Sequence, residues 1–151
     1  MKTHKTSLVG KSLDDFLDIC DIHNVDSYRA EQIFNWIYKN KINDFESFKN
    51  IPKSFLNLLK EQHTIHPLIF VRSTKSDSRL TNKFLFKTQS GALVESVLMN
   101  EGSRTTLCLS TQVGCALDCK FCATAKMGFI DNLGSGEIVD QFLLISKMLS
   151  K

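Results

Sequence analysis

The segment RTTLCLSTQVGCALDCKFCATAKMGF, residues 104–129, combines a strand-like run with three closely spaced cysteines. Residues 104–110 have the composition of a short β-strand. Beyond the cysteines, Gly134-Ser135-Gly136 leads into a predicted helix with the sequence EIVDQFLLISKMLS. The expected apolar face of this helix consists of Ile138, Phe142, Ile145 and Leu149. The predicted order in this part of the chain is therefore strand, cysteine loop, helix.

Upstream of this segment, residues 12 to about 65 are predicted to be helical. Ser12 followed by Asp15 can cap a first helix. The third helix is expected to open at Pro52, because proline is favourable in a first helical turn. The apolar positions at helical spacing are Leu13, Phe16, Leu17 and Cys20 in the first helix, Ala30, Ile33, Phe34 and Ile37 in the second, and Phe55, Leu58 and Leu59 in the third. These patterns predict a small helical bundle.

Between the helices and the cysteine segment, the composition changes to short β-type runs. His66-Pro67 ends the helical region, and the polar residues 73–82, STKSDSRLTN, are predicted to form a loop. Strands are expected at residues 68–72, 83–87, 92–99 and 104–110. The sequence thus predicts an α+β fold with a helical N-terminal module over residues 1–65, a β-rich connecting segment over 66–103 and a third segment over 104–151.

Length and composition exclude several classes of protein. The chain has 151 residues, too few for a complete eight-unit α/β barrel of about 250 residues. Its 42% hydrophobic and 23% charged residues are typical of a globular protein and not of a disordered one. No stretch has the pattern of a signal peptide or a membrane span, so we expect a cytoplasmic protein without membrane contact. The net charge of +3 permits a polyanionic partner without requiring one.

Three of the five cysteines, Cys115, Cys119 and Cys122, follow the spacing C-x3-C-x2-C. An odd number of cysteines with three crowded together is typical of a metal or redox site in a reducing compartment. Thiolates suit either zinc or an iron–sulfur cluster. Zinc would need a fourth protein ligand, for which the candidates are Cys108, His63 and His66. Three ligands in one compact loop favour a [4Fe-4S] cluster with one open iron, which would make the site catalytic.

The cysteine loop, with Phe121 directly before its last cysteine, resembles the signature of radical S-adenosylmethionine (SAM) enzymes. Residues 104–129, followed by NL and GEIVDQ, are similar to the radical SAM methyltransferases that modify carbon 2 of adenosine in 23S ribosomal RNA and in tRNA, the RlmN/Cfr family. YRAEQIFNWIYKN, residues 28–40, and GALVESVLMNEGSRTTLC, residues 91–108, resemble the corresponding stretches of that family. The resemblance covers nearly the whole chain. It implies that residues 104–151 form the first βα unit of an incomplete radical SAM (β/α) barrel.

The resemblance assigns roles to five residues. It implies that Cys115, Cys119 and Cys122 bind a [4Fe-4S] cluster whose open iron chelates the amino and carboxylate groups of SAM. It also implies that Glu95 is the proton acceptor and that Cys108 resolves a covalent protein–RNA intermediate by forming a disulfide. In this family a first SAM methylates a cysteine near the C-terminus, and a second is cleaved to a radical that abstracts hydrogen from that methyl group. The implied partners are 23S rRNA, tRNA and an electron donor such as a flavodoxin system.

Without the resemblance, several of these residues also have structural interpretations. A buried acid in the apolar run around Glu95 would be costly unless paired, so Glu95 is either surface-facing or functional. Cys108 lies between leucines, as a small core residue would. The phenylalanines are expected in the core and the lysines on a solvated face, although both types can contact RNA. The residues concerned are Phe16, Phe34, Phe45, Phe48, Phe55, Lys39, Lys41, Lys49, Lys53 and Lys60.

Two departures from the family pattern bear on function. Asp131 stands where the family usually carries a basic residue, which reverses a local charge. Residues 104–151 provide room for about one strand–helix unit at roughly 30 residues each, and the family's Gly-Glu-Pro type segment and methyl-carrying cysteine are absent from them. We therefore expect an N-terminal portion of such a methyltransferase that is inactive alone. The alternative is an RNA-binding or zinc-binding module without catalysis.

Overall fold

The computed structural model describes residues 5–78, 80–117, 119–120 and 124–150. Four α-helices lie in these ranges: α1 Leu13–Ile22, α2 Tyr28–Phe34, α3 Lys53–Gln62 and α4 Ser135–Leu149. A π-helical turn, Asn35–Lys39, continues α2, and short 3-10 turns lie at Phe45–Ser47 and Ala125–Met127. The strands are β1 Thr6–Ser7, β2 His63–Thr64, β3 Ile69–Lys75, β4 Thr81–Lys87, β5 Leu93–Glu101, β6 Arg104–Cys108, β7 Gln112–Gly114 and β8 Phe129–Asn132. The α+β character of the sequence prediction is confirmed.

The start of α1 has the predicted capping box. The Asp15 N–H donates to Ser12 Oγ over 3.2 Å, and the Ser12 N–H donates to Asp15 Oδ2 over 2.6 Å. Each side chain therefore satisfies a backbone donor that the first helical turn leaves free. The third helix begins at Lys53, one residue later than predicted, because Pro52 has an extended ψ of 133° and occupies the N-cap.

A two-stranded parallel pairing closes the helical module, and the sequence analysis did not predict it. Thr6 pairs with His63 and Ser7 pairs with Thr64. The Leu8 N–H then donates to the Thr64 carbonyl over 2.8 Å. Phe16, Cys20, Phe48 and Phe55 are buried in the core that this pairing completes, and Phe34 and Phe45 pack against it. The core interpretation of these phenylalanines and of Cys20 is confirmed.

Strands β3 to β6 form an antiparallel meander in the order β3-β4-β5-β6. The predicted loop over residues 73–82 is too long, because Thr74 pairs with Lys83 and Lys75 pairs with Asn82. Polar side chains can extend an edge strand when they face solvent. The loop between β3 and β4 therefore covers only residues 76–80.

The strand that begins at Arg104 is the last strand of this meander. Val97 on β5 faces Cys108 on β6 in an antiparallel register. The cysteine loop instead follows β7, which pairs antiparallel with β8. Among the described residues, β1 and β2 form the only parallel pair. The predicted barrel unit over residues 104–151 is thus not confirmed.

Helix α4 packs between two hydrophobic cores. Leu143 belongs to the core of the helical module, whereas Leu144 and Ile145 belong to the core beneath the meander. The predicted apolar face of α4 is wrong in part, because Phe142 is 48% and Leu149 is 54% exposed. A helix that contacts two cores buries a wider face than one stripe of apolar residues. In α4 this face includes the fully buried polar residues Asp140 and Gln141. None of the described helices is long and apolar enough to span a bilayer.

Candidate functional site

The β7–β8 hairpin positions the cysteine loop. Gly114, the last residue of β7, has φ +74°, and a Cβ at this position would lie 1.8 Å from the Gly128 carbonyl oxygen. The Cys115 N–H donates to the same oxygen over 3.1 Å. Only glycine allows this close approach, so Gly114 lets the two ends of the loop meet directly beside its first cysteine.

Two of the three predicted cluster ligands lie in the described part of this loop. Cys115 and Cys119 are half-buried and carry free thiols. The Leu117 N–H lies 3.5 Å from Cys115 Sγ in donor geometry, and such bonds stabilise a thiolate and tune a cluster. Cys122 lies outside the described residues. The donor chemistry of Cys115 and Cys119 therefore fits an iron–sulfur cluster.

The histidines considered for a zinc site have other partners. His66 Nδ1 lies 2.5 Å from Asp140 Oδ1, and its Nε2 lies 3.1 Å from the Ile42 carbonyl oxygen. His63 Nδ1 lies 2.7 Å from Thr6 Oγ1. Within the described ranges, no group of three His, Cys, Asp or Glu residues is placed to hold a metal. A zinc site that recruits His66 as its fourth ligand would have to break one of its two hydrogen bonds, because a metal binds one ring nitrogen.

Glu95 lies on the face of β5 that points away from the core. Val94 and Ser96 on either side of it are buried, whereas the Glu95 side chain is 48% exposed. Its Oε1 lies 3.1 Å from the Nζ of Lys83. Glu95 is thus a surface-facing acid with a cationic partner, and its exposure leaves it accessible to a substrate.

Cys108 is exposed, so the interpretation as a small core residue is wrong. It faces Val97 in the β5–β6 register, two residues along β5 from Glu95. Residues that face each other in an antiparallel pair project on the same side of the sheet, and diagonal neighbours are about 7–8 Å apart. Cys108 and Glu95 therefore lie on one face of the meander as diagonal neighbours.

A cavity of about 300 Å³ joins this face to the cysteine loop. Its walls include Glu95 on β5, Gly114 directly before the loop, and Thr124 and Met127 near the end of the loop. The Ser110 Oγ donates to the Glu95 carbonyl over 2.6 Å and ties the connection after β6 to β5. Glu95 and the cysteine loop thus border one space.

Gln141 on α4 connects β5 to the segment after β6 through hydrogen bonds, a role that the sequence did not predict. Its Oε1 accepts hydrogen bonds from Ser96 Oγ over 2.7 Å and from the Ser110 N–H over 2.9 Å. Its Nε2 donates to the Ser110 carbonyl over 2.8 Å. A glutamine within the apolar run of the last helix was the available signal, since a buried amide needs partners.

Asp140, the neighbour of Gln141, makes a second buried polar contact. Besides His66, it accepts the Leu68 N–H at Oδ2 over 3.1 Å. Burial raises the pKa of Asp140, and the hydrogen bond with His66 opposes that rise. The contact joins α4, the segment before β3 and, through Ile42, the helical module.

Several further charges among the described residues lie on the surface. Asp131 is exposed, and its Oδ1 accepts the N–H of its neighbour Asn132 over 2.8 Å. Lys60 pairs with Glu46. Lys39, Lys49 and Lys53 are exposed and form no ion pair with another described residue. These three lysines are therefore open to an anionic partner.

The sequence of this chain is similar to those of known RNA methyltransferases. Residues 6–65 match the family model of the ribosomal RNA large subunit methyltransferase N-terminal domain. The chain is 41% identical over 127 residues to the "Probable dual-specificity RNA methyltransferase RlmN" of Aquifex aeolicus, covering 84% of this chain and 36% of that protein. It is 42% identical over 135 residues to the "Dual-specificity RNA methyltransferase RlmN" of Desulfosudis oleivorans, covering 89% of this chain and 36% of that protein.

A solved structure agrees with these relatives. The crystal structure of a radical SAM methyltransferase from Sphaerobacter thermophilus superposes with a TM-score of 0.90 at 36% identity, covering 96% of this chain and 42% of that chain. The present chain thus spans about two fifths of the length of the proteins that it matches.

Proposed function

We propose that this chain, which belongs to the RlmN family of radical SAM RNA methyltransferases, forms part of an enzyme that methylates carbon 2 of adenosine in 23S rRNA and tRNA. One observation carries the proposal: Glu95 and Cys108 share a sheet face, and Glu95 borders the same cavity as the cysteine loop. A proton acceptor, a redox thiol and a metal-binding loop are thereby within reach of one substrate.

Cys115, Cys119 and Cys122 are the proposed ligands of a [4Fe-4S] cluster. Three protein thiolates leave one iron open, and SAM is the proposed ligand of that iron. When bound, the cluster and SAM supply radical chemistry at a carbon that does not react as a nucleophile. The N–H of Leu117 then stabilises the Cys115 thiolate through its hydrogen bond.

Glu95 and Cys108 would contact the RNA substrate. Lys83 Nζ lies 3.1 Å from Glu95 Oε1 and orients the carboxylate that would accept the proton. Cys108 is an exposed free thiol. As a thiolate, its Sγ would attack the sulfur of the methyl-carrying cysteine, so that an S–S bond forms while the S–C bond to the RNA breaks and leaves its electron pair on the methylated base.

The helical module, residues 1–65, is proposed to contact folded RNA. Its core is drawn from residues 8–65 with one addition, Leu143 from α4. Three surface lysines that form no ion pair with a described residue, Lys39, Lys49 and Lys53, can approach phosphates. We also propose residues 66–103 as the connecting segment and residues 104–151 as the start of the catalytic core.

A further part of the proposal concerns what this chain can do alone. Because it matches only about two fifths of those proteins, we propose that cluster binding resides in this chain and that methyl transfer needs further structure. The cytoplasmic location and a flavodoxin-type electron donor stay predictions from the resemblance.

Electron paramagnetic resonance of the anaerobically reconstituted and reduced chain tests the proposal. We expect a cluster signal that changes when SAM is added, because SAM binds the open iron. The Cys119→Ala variant should lose the signal, whereas Cys20→Ala should keep it because Cys20 is buried in the helical core. A protein that takes up zinc and gives no signal would favour the non-catalytic alternative.

A further inference from the structure

The outer face of the meander, meaning the side that bears Glu95 and Cys108, also bears the cations Arg72 and Lys83 close to these groups. The registers align Arg72, Leu85 and Glu95 in one row across β3, β4 and β5. They align Thr74, Lys83, Val97 and Cys108 in the next row across β3 to β6. The basic and hydroxyl side chains thus lie on β3 and β4. The proposed reactive residues, Glu95 and Cys108, lie on β5 and β6.

A cavity of about 350 Å³ opens at the β3 side, lined by Arg72, Thr74, Lys83, Leu85 and Glu95. Lys83 is paired with Glu95. Arg72 is exposed and has no side-chain hydrogen bond or ion pair with any described residue. One positive charge of the cavity is therefore uncompensated, and it belongs to a guanidinium whose donors suit a phosphate oxygen pair.

We propose that Arg72, Thr74 and Lys83 form a phosphate-binding subsite for the RNA strand, next to the nucleotide that reaches Glu95. This inference rests on the proposed function. The phosphodiester accepts hydrogen bonds from the Arg72 guanidinium and the Thr74 hydroxyl. The ammonium of Lys83 lies between this phosphate and the Glu95 carboxylate, and it reduces the repulsion between the two anions.

The spacing of the strands favours a nucleotide over a free anion. Arg72 and Glu95 are two strands apart, which is about 10 Å at roughly 4.8 Å per strand. Leu85 and Val97 are half-buried apolar side chains in the middle of the two rows. A nucleoside attached to a phosphate at Arg72 can lie across this apolar strip and present its base near Glu95 and Cys108.

The salt dependence of RNA binding tests the subsite. A labelled RNA hairpin with an unpaired adenosine in its loop is titrated with the full chain at several KCl concentrations, and binding is followed by fluorescence anisotropy. Each lost phosphate contact reduces the magnitude of the negative slope of log affinity against log salt concentration by about 0.7–0.9. We expect that decrease for Arg72→Gln and for Lys83→Gln. Arg72→Lys keeps a point charge, so it should keep most of the slope while binding more weakly.

Lys75→Gln is the matched control. Lys75 is exposed on the same strand as Arg72, but strand alternation turns it to the opposite face. Its substitution changes the net charge by the same amount and should leave the slope close to that of the unchanged protein. Equal slopes for all variants, or an equal decrease with Lys75→Gln, would overturn the subsite.

The binding experiment distinguishes a wrong phosphate subsite from a wrong proposed function. If the unchanged chain binds the hairpin but Arg72→Gln binds it with the same slope, only the subsite is wrong. If the unchanged chain binds no RNA at low salt, the proposed RNA substrate and the subsite both fail. The cluster signal and its response to SAM do not depend on Arg72, so they report on the cofactor separately.

Discussion

Replacement of Asp140 by alanine should destabilise the chain by about 3–5 kcal/mol, the range for breaking a buried charged pair by removing one partner. Asp140 is fully buried and has two partners, the His66 ring at 2.5 Å and the Leu68 N–H at 3.1 Å. Alanine would leave His66 Nδ1 and the Leu68 N–H without their hydrogen-bond partners in the interior. Each buried polar group without a partner costs about 1–3 kcal/mol, which gives a similar total.

Urea unfolding of the full chain, followed by far-ultraviolet circular dichroism, measures this difference. Asp140→Asn keeps an oxygen that can accept the Leu68 N–H, so we expect it to lose less stability than Asp140→Ala. Asp131→Ala is the control on an exposed aspartate and should change the free energy of unfolding by no more than about 0.5 kcal/mol. A loss of less than about 1 kcal/mol for Asp140→Ala would refute the argument that this contact joins α4 to the rest of the fold.

The same contact predicts a pH dependence. Burial raises the pKa of folded Asp140 above its ordinary value of 3.8, so the folded chain binds the proton more tightly than the unfolded chain does. The stabilising contribution of this proton is fully present below the unfolded pKa and is lost as pH rises through the raised folded pKa. The stability advantage of the unchanged chain over Asp140→Asn should therefore decrease between about pH 4 and neutral pH. A constant difference across that range would contradict the assigned direction of the shift.

Three further outcomes are expected. Gly114→Ala should lower the iron bound per chain in a colorimetric assay, because the new methyl group would meet the Gly128 carbonyl oxygen. Gly102→Ala is the control and should retain its iron, because Gly102 also has a positive φ but has open space around it. Gln141→Leu should reduce the free energy of unfolding in urea by about 1–3 kcal/mol, because its serine partners lose their buried hydrogen bonds; a change below about 0.5 kcal/mol would show that these bonds contribute little. The reconstituted chain alone should transfer no labelled methyl group from SAM to a ribosomal RNA fragment, and labelled adenosine would disprove the proposed need for further structure.

Local features of the fold were predictable because their causes lie within a few residues. The Ser12–Asp15 capping box needs only a spacing of three, and it marks the start of α1 correctly. The strand-like runs also appear near their predicted places, since β-type composition is local. The spacing of the three cysteines likewise identified the loop that Gly114 closes.

Non-local pairings were not predictable from one sequence. The two-residue strands at Thr6 and His63 are too short for a periodic signal, and their parallel pairing depends on the helical module between them. The pairing of β6 with β5 and the two-sided burial of α4 depend on packing partners far along the chain. For the same reason, the sequence alone could not show that Cys108 and Glu95 lie on one face of the meander.

Iron and sulfide analysis after anaerobic reconstitution tests the central claim most directly. We predict about four iron and four sulfide per chain, with large losses in Cys115→Ala, Cys119→Ala and Cys122→Ala and normal content in Cys108→Ala. One tightly bound zinc per chain, with Cys108 required for its binding, would contradict the assignment of this loop to a radical SAM cluster.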